Sequence, residues 1–153
     1  MTAVLITGMS GVGKSSALAA LALRGYDTID TDYGDWIHIV AGEPLWREDR
    51  IDALLSRPRT GPLFVQGTVA NQGRFYHRFD AVVLLSAPIE VILERIRTRT
   101  TNAFGKSEVD RARIRADVTA IEPLLRVACT HELDTTLPLP DTVQALITIA
   151  GPS

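Results

Sequence analysis

Ala3-Val4-Leu5-Ile6-Thr7-Gly8-Met9-Ser10-Gly11-Val12-Gly13-Lys14-Ser15-Ser16 is the stretch on which the reading of this chain turns. Its first five residues form an apolar run, too brief for a helix and rich in β-formers, which predicts a buried strand. Gly8 to Ser16 then carry the pattern G-x-x-x-x-G-K-[ST] of a phosphate-binding loop. Gly8, Gly11 and Gly13 permit backbone angles that a side chain forbids, so that successive N–H groups can converge on one anion. Lys14 brings a positive charge to the β- and γ-phosphates, and Ser15 brings a hydroxyl to Mg²⁺. The helix predicted from Ser16 to Arg24 adds the positive end of its dipole. The candidate nucleotide-binding residues are therefore Gly8, Ser10, Gly11, Val12, Gly13, Lys14, Ser15 and Ser16. A glycine-rich turn that binds nothing would satisfy the pattern too, but not the context of a buried strand before it and a helix after it.

The rest of the composition narrows the class. The 153 residues suit a single domain, 1–153, with a core of its own. A hydrophobic fraction of 46%, a charged fraction of 22% and a net charge of -2 are those of an ordinary soluble globular protein. They give no reason to expect bulk binding to nucleic acid or to an anionic membrane. The N-terminal apolar run is short, lacks a basic flank and leads into the loop, so it does not read as a signal peptide. The single Cys129 excludes an intramolecular disulfide and fits a reducing, cytoplasmic setting. His38 and His131 lack companions at metal-ligand spacing, so no structural zinc is expected.

Beyond the loop, strands and helices alternate. The second strand is Tyr26 to Asp30, the third Leu63 to Gln66, the fourth Ala81 to Leu85 and a weak fifth Thr130 to Asp134. Trp36, Ile37, Ile39 and Val40 suggest a short helix, and a longer one runs from about Leu45 to Ser56. Gly67 to Asp80 reads as a long polar and aromatic loop. A helix follows Pro88, with Ile89, Ile92, Leu93 and Ile96 as its apolar stripe. Another starts at Ser107, buries Ile114, Val118, Ile121, Leu125 and Ala128, and should kink or end at Pro123. Asp141 caps a final helix. This alternation implies an α/β fold, a parallel sheet with helices on both faces, whose ligands sit at the carboxyl ends of the strands.

Asp30, Asp32 and Gln66 fall at such ends. Two residues apart in extended chain, the aspartates point to the same side. One carboxylate is suited to hold Mg²⁺, directly or through water, and the other to accept or orient a proton of an attacking hydroxyl. A solvated turn is the plainer alternative. The third strand ends in Gln66 where many nucleotide hydrolases place an acid, which argues against a motor-type ATPase. Arg95, Arg97, Arg99, Lys106, Arg111, Arg113 and Arg115 cluster around a segment suited to close over ATP and neutralise the transferring phosphoryl group. Arg74, His77 and Arg78 are candidates to meet an anionic acceptor, and Trp36, Trp46, Phe75 and Tyr76 to stack on a ring. Core and rim packing is the plainer reading of each.

Gly8 to Ser16, the Asp30-Thr31-Asp32 strand end and the arginines from Arg95 to Arg115 together resemble the small P-loop kinases, of the shikimate-kinase-like and adenylate-kinase-like kind with a short lid. The resemblance implies a three-layer P-loop NTPase fold with a five-stranded parallel sheet of order 2-3-1-4-5. It implies ATP, Mg²⁺ and phosphoryl transfer to a small molecule beside the second and third strands. It assigns Lys14 and Ser15 to phosphate and Mg²⁺, Asp30 to the magnesium side, and Asp32 to the acceptor or the base role. It makes Arg95 or Arg99 the arginine that meets ATP from a lid around 97–113, and it sets Thr135 to Pro138 beside adenine. In place of the glycine run that shikimate kinases carry after the third strand, this chain has Gln66-Gly67-Thr68-Val69.

Two functions are expected on these grounds. The first is an ATP-dependent small-molecule kinase, monomeric or homodimeric, acting on a hydroxyl or a nucleotide phosphate, with Lys14, Asp32, Arg95 and Arg99 as its catalytic residues. The alternative is a nucleotide-binding regulatory or assembly module with slow ATPase activity.

Overall fold

Apolar residues fix the central strand first. In the computed structural model, which describes residues 2–98 and 108–151, every residue of β1 (Ala3–Thr7) is buried. It pairs in parallel with β5 (Leu63–Gln66) on one side and β6 (Ala81–Ser86) on the other. β2 (Asp27–Asp30) extends the sheet beyond β5, and β7 (His131–Asp134) extends it beyond β6. The sheet order is thus β2-β5-β1-β6-β7, which is 2-3-1-4-5 when only the sheet strands are counted.

Side chains alternate across this sheet and sort into two cores. Val4, Ile6, Phe64 and Val83 face α1 (Lys14–Leu23), α3 (Ile89–Thr98), α4 (Glu108–Ala128) and α5 (Leu139–Ala150). Ala3, Leu5, Leu63, Val65 and Val82 face α2 (Glu48–Ser56), together with Trp46 and Phe75. Helices therefore cover both faces, and burial on both sides explains why the three central strands β1, β5 and β6 are short, mainly apolar runs.

Several local expectations are corrected. The segment around Trp36 to Val40 is not a helix but β3 (Ile37–Val40), paired antiparallel with β4 (Glu43–Trp46). The two-residue turn between them has φ of 52° at Ala41 and 79° at Gly42, the left-handed pair that matches strand twist in a hairpin. Because β4 takes Glu43–Trp46, the next helix starts at Glu48 rather than at Leu45. The expected loop from Gly67 to Asp80 contains a 3₁₀ helix, Gln72–Arg78. Pro123 neither ends nor stops α4, which runs on to Ala128; at this exposed position solvent can serve the carbonyl that loses its partner. On α4 the buried positions are Ile114, Glu122 and Leu125, while Ile121 and Ala128 are exposed. The last helix begins at Leu139 with Pro138 as its cap, and Asp141 lies in its first turn.

Candidate functional site

The loop between β1 and α1 is shaped by backbone that only glycine tolerates. Gly8 has a φ of 148°, and a Cβ there would lie 2.5 Å from the Leu85 carbonyl oxygen. Gly13, at a φ of 101°, is the N-cap of α1, and its carbonyl accepts from the Ala17 amide at 3.0 Å. Val12 is buried in the core below the loop, whereas Ser10, Ser15 and Ser16 are exposed. The first turn of α1 holds no acidic side chain, so nothing cancels the positive end of the helix. Such an end is an anion site by its electrostatics.

Lys14, the first residue of α1, folds back over the loop. Its Nζ donates to the Gly8 carbonyl and, at 3.1 Å, to the Met9 carbonyl. Burial of the ammonium lowers its pKa to about 8, against the opposing pull of the Asp32 and Asp30 carboxylates. The lysine and the aspartates thus belong to one electrostatic neighbourhood, although they come from two different strand ends.

The aspartates are held by β5. Asp30 is in register with Gln66. The Gln66 side-chain amide donates to Asp30 Oδ1 and, at 3.0 Å, to Asp32 Oδ2. The Asp32 amide closes the turn onto Asp30 Oδ1 at 3.0 Å. Thr31 between them is buried; its amide and hydroxyl both donate to the Gln66 carbonyl, at 3.2 and 2.9 Å. Trp46 Nε1 donates to the same Thr31 hydroxyl at 3.0 Å. That contact needs glycine next to Gln66, since a Cβ on Gly67 would lie 2.6 Å from Thr31 Oγ1 and 3.0 Å from the Trp46 ring.

Behind the loop runs a chain of side-chain hydrogen bonds. Thr68 Oγ1 donates to the Gly8 carbonyl at 2.6 Å and accepts from the Gly8 amide at 3.3 Å. It also meets Thr7 Oγ1 at 3.1 Å. Gln72 Nε2 donates to Thr7 Oγ1 at 3.0 Å and to the Tyr76 hydroxyl at 2.9 Å. The segment after β5 therefore grips the same phosphate-loop glycine whose carbonyl Lys14 also bonds.

On the other flank lies a cavity of about 240 Å³, lined by Val12, Gly13, Ser16, Arg95, Thr135, Leu137, Leu139 and Thr142. Arg95 reaches across it from α3. Its guanidinium donates to the Gly11 carbonyl at 3.3 Å, to Thr135 Oγ1 at 3.0 Å and to the Thr135 carbonyl. The segment Thr135 to Pro138 and the back of the loop thus share one hollow. Arg97 pairs instead with Glu94 on its own helix, at 2.7 Å. Arg99 and most of the expected lid lie outside the described residues.

The hairpin side is closed by side-chain contacts between segments far apart in sequence. Asn71 accepts from the Trp46 amide at 2.9 Å and donates to the Trp46 carbonyl at 3.0 Å, holding β4 as a neighbouring strand would. Arg74 pairs with Glu48 at 3.3 Å, and Arg78 pairs with Asp52 and donates to Ser56 Oγ at 2.8 Å. Their charges are committed to α2. Trp46 is fully buried against Phe75, with ring centroids 6.0 Å apart, so it is a core residue and not a ring-stacking platform. Thr31, Thr68 and Asn71 are the site-shaping residues that sequence reasoning missed, and Trp46 joins them from the core. The one local signal for them was a strand end followed by Gly67-Thr68 instead of a glycine run.

Comparison with known proteins bears on this geometry. A family model described as an AAA domain matches residues 4–116. Among solved structures, the chain is similar to a shikimate kinase from Acinetobacter baumannii, with a TM-score of 0.66 and 18% identity over 97% of this chain and 92% of that one. It is similar to a gluconokinase from Sinorhizobium meliloti 1021, with a TM-score of 0.64 and 22% identity over 97% and 91% of the two chains. It is also similar to a deoxyadenosine kinase from M. mycoides, with a TM-score of 0.61 and 12% identity over 97% and 98%. No curated protein matches the chain in sequence. At these identities the structural neighbours establish a common fold.

Proposed function

We propose that this chain, which belongs to the AAA domain family, is a Mg-dependent phosphotransferase that moves the γ-phosphoryl group of ATP to a small molecule. One observation carries the reading. A phosphate-loop lysine and a pair of strand-end aspartates share a single electrostatic neighbourhood at the rim of a kinase-like sheet. The single domain 1–153, with a short lid around 97–113, is part of the same proposal.

Roles follow from placement. Gly8, Ser10, Gly11, Val12, Gly13, Lys14, Ser15 and Ser16 wrap the phosphates at the end of α1, where backbone N–H groups and the helix dipole favour an anion. Lys14 exchanges its two loop carbonyls for phosphate oxygens, gaining an opposite charge in place of neutral acceptors. Arg95 and Thr135 border the base-side cavity, from which Arg95 is proposed to meet the phosphates; Arg99, the other candidate, lies outside the described residues. The Ser15 hydroxyl and the Asp30 carboxylate are hard oxygen donors, and Gln66 Oε1 beside them is a buried acceptor with no partner. This donor set fits Mg²⁺, which prefers oxygen and takes one or two carboxylates beside phosphates. When bound, Mg²⁺ supplies charge neutralisation at the phosphates. Asp32, the exposed member of the pair, is placed to orient an acceptor hydroxyl and take its proton. Because phosphoryl transfer has a loose transition state, holding these groups in place is most of the catalysis.

The acceptor sits beside β2 and β5. Shikimate, gluconate and deoxyadenosine kinases on this fold span acids and nucleosides, so the acceptor class is open to either a hydroxyl or a nucleotide phosphate. The test is a panel of hydroxyl and phosphate acceptors with Mg-ATP, followed by ³¹P NMR. Transfer to at least one acceptor is expected. Tight ATP binding without transfer to any would favour the second reading, a nucleotide-dependent regulatory or assembly module with slow hydrolysis. The neutral Gln66 at the end of β5 is the observation that supports that alternative.

A further inference from the structure

Gln66 engages the rim through both its main chain and its side chain. Its carbonyl accepts two hydrogen bonds from Thr31, and its side-chain amide donates one to each of Asp30 and Asp32. A primary amide has two N–H donors, and here both go to carboxylates from the same turn. Glutamate at this position would offer no donor and would add a third negative charge within hydrogen-bond distance of two others. Asparagine would be one methylene shorter. Methionine would fill the space and leave both carboxylates without the bond. The position therefore requires a neutral side chain of this length with two donors. The side chain is also fully buried, and its Oε1 has no hydrogen-bond partner among the described residues.

We infer that Gln66 is a positioning residue that holds the Asp30 and Asp32 carboxylates in fixed relation, setting Asp30, rather than an acid at the end of β5, toward the divalent cation beside the nucleotide and leaving Asp32 for the acceptor. The inference rests on the proposed Mg-ATP site. It explains how the rim works without a carboxylate on β5: the charge comes from β2, and β5 supplies the clamp. A clamp of this kind acts through its clients. Its removal loosens the cation and leaves the grip on the triphosphate, which comes from the phosphate loop, unchanged. Partners of metal ligands elsewhere affect affinity by about 10–100-fold when removed.

The test uses the full chain with Mn²⁺ as the probe cation. Free Mn²⁺ is counted by electron paramagnetic resonance in the presence of ATP, and metal-free ATP binding is measured by calorimetry. For Gln66→Met, Mn²⁺ retention in the ATP complex is expected to weaken about tenfold or more, with metal-free ATP affinity within twofold of the parent. In an Asp30→Asn background the same change is expected to cost less than twofold further, because the clamp then has lost its client. Gln66→Asn provides a second variant that keeps a polar side chain in the pocket, with a loss in the same direction. Unchanged Mn²⁺ retention in folded Gln66→Met and Gln66→Asn would overturn the inference, and so would an undiminished loss in the Asp30→Asn background. Failure of the parent to bind ATP at all would instead remove the nucleotide site itself, a distinct outcome.

Discussion

On the α1 side of the rim the functional groups are main-chain atoms set by glycines, and one lysine follows them directly in sequence. On the hairpin side they are side chains whose partners lie far along the chain: Gln66 is 36 residues from Asp30 and 34 from Asp32, and Asn71 is 25 from Trp46. The first construction is stiff and general, since any triphosphate presents the same oxygens. The second can be re-cut by single substitutions, since each polar contact is one side chain wide. On the proposed function, the nucleotide half would thus be fixed by backbone, and the acceptor half by a few long-range pairs. This division suits a fold that keeps one donor and changes its acceptor.

The largest expected effect separates the two halves by chemistry. Asp32→Asn should lower phosphoryl transfer by about 10²–10⁴-fold while ATP affinity stays within about threefold, measured by steady-state kinetics and calorimetry. An unchanged turnover would favour the regulatory-module reading. Next comes a test of the backbone half. Gly8→Ala puts a methyl group against the Leu85 carbonyl at a positive φ, and should cost about 3 kcal/mol in urea unfolding. On the hairpin side, Trp46→Phe removes the bond to Thr31 and should cost only about 1 kcal/mol, with acceptor KM moving more than ATP KM.

Of comparable size is a pH dependence confined to the nucleotide half. Lys14 in the folded chain loses its proton near pH 8, and in the unfolded chain near 10.5. Between those values the unfolded state holds the extra proton, so this group's contribution to stability rises with pH across that window. Nucleotide binding has the opposite trend, because the ammonium is the form that attracts phosphate. ATP affinity at pH 9 should be about tenfold below that at pH 7, with proton uptake on binding at the higher pH. A flat profile would mean that Lys14 contributes little to holding the triphosphate.

How much of this was legible in the sequence follows the same division. The loop was legible because its residues are contiguous and each position has one backbone or charge requirement. The sheet was legible because β1, β5 and β6 are buried on both faces and read as apolar runs. The hairpin was not. Trp36, Ile37, Ile39 and Val40 satisfy a helical spacing as well as a strand alternation, and the turn at Ala41-Gly42 lacks the Asn-Gly or Asp-Gly signature. For Trp46 the plainer reading, core packing, is the one that holds, but its partners Asn71, Thr31 and Gly67 lie far from it in sequence and could not be named from it. The clamp at Gln66 was visible only as a missing acid, and its meaning came from the register that sets it opposite Asp30.

The central claim is that the loop from Gly8 to Ser16 grips a nucleoside triphosphate through its backbone and Lys14. Calorimetry of the folded chain with Mg-ATP tests it most directly, beside Lys14→Ala confirmed as folded by circular dichroism. The account predicts one ATP bound per chain by the parent and a loss of about two orders of magnitude or more in affinity in the variant. Absence of binding to the folded parent, or equal binding by both proteins, would contradict it.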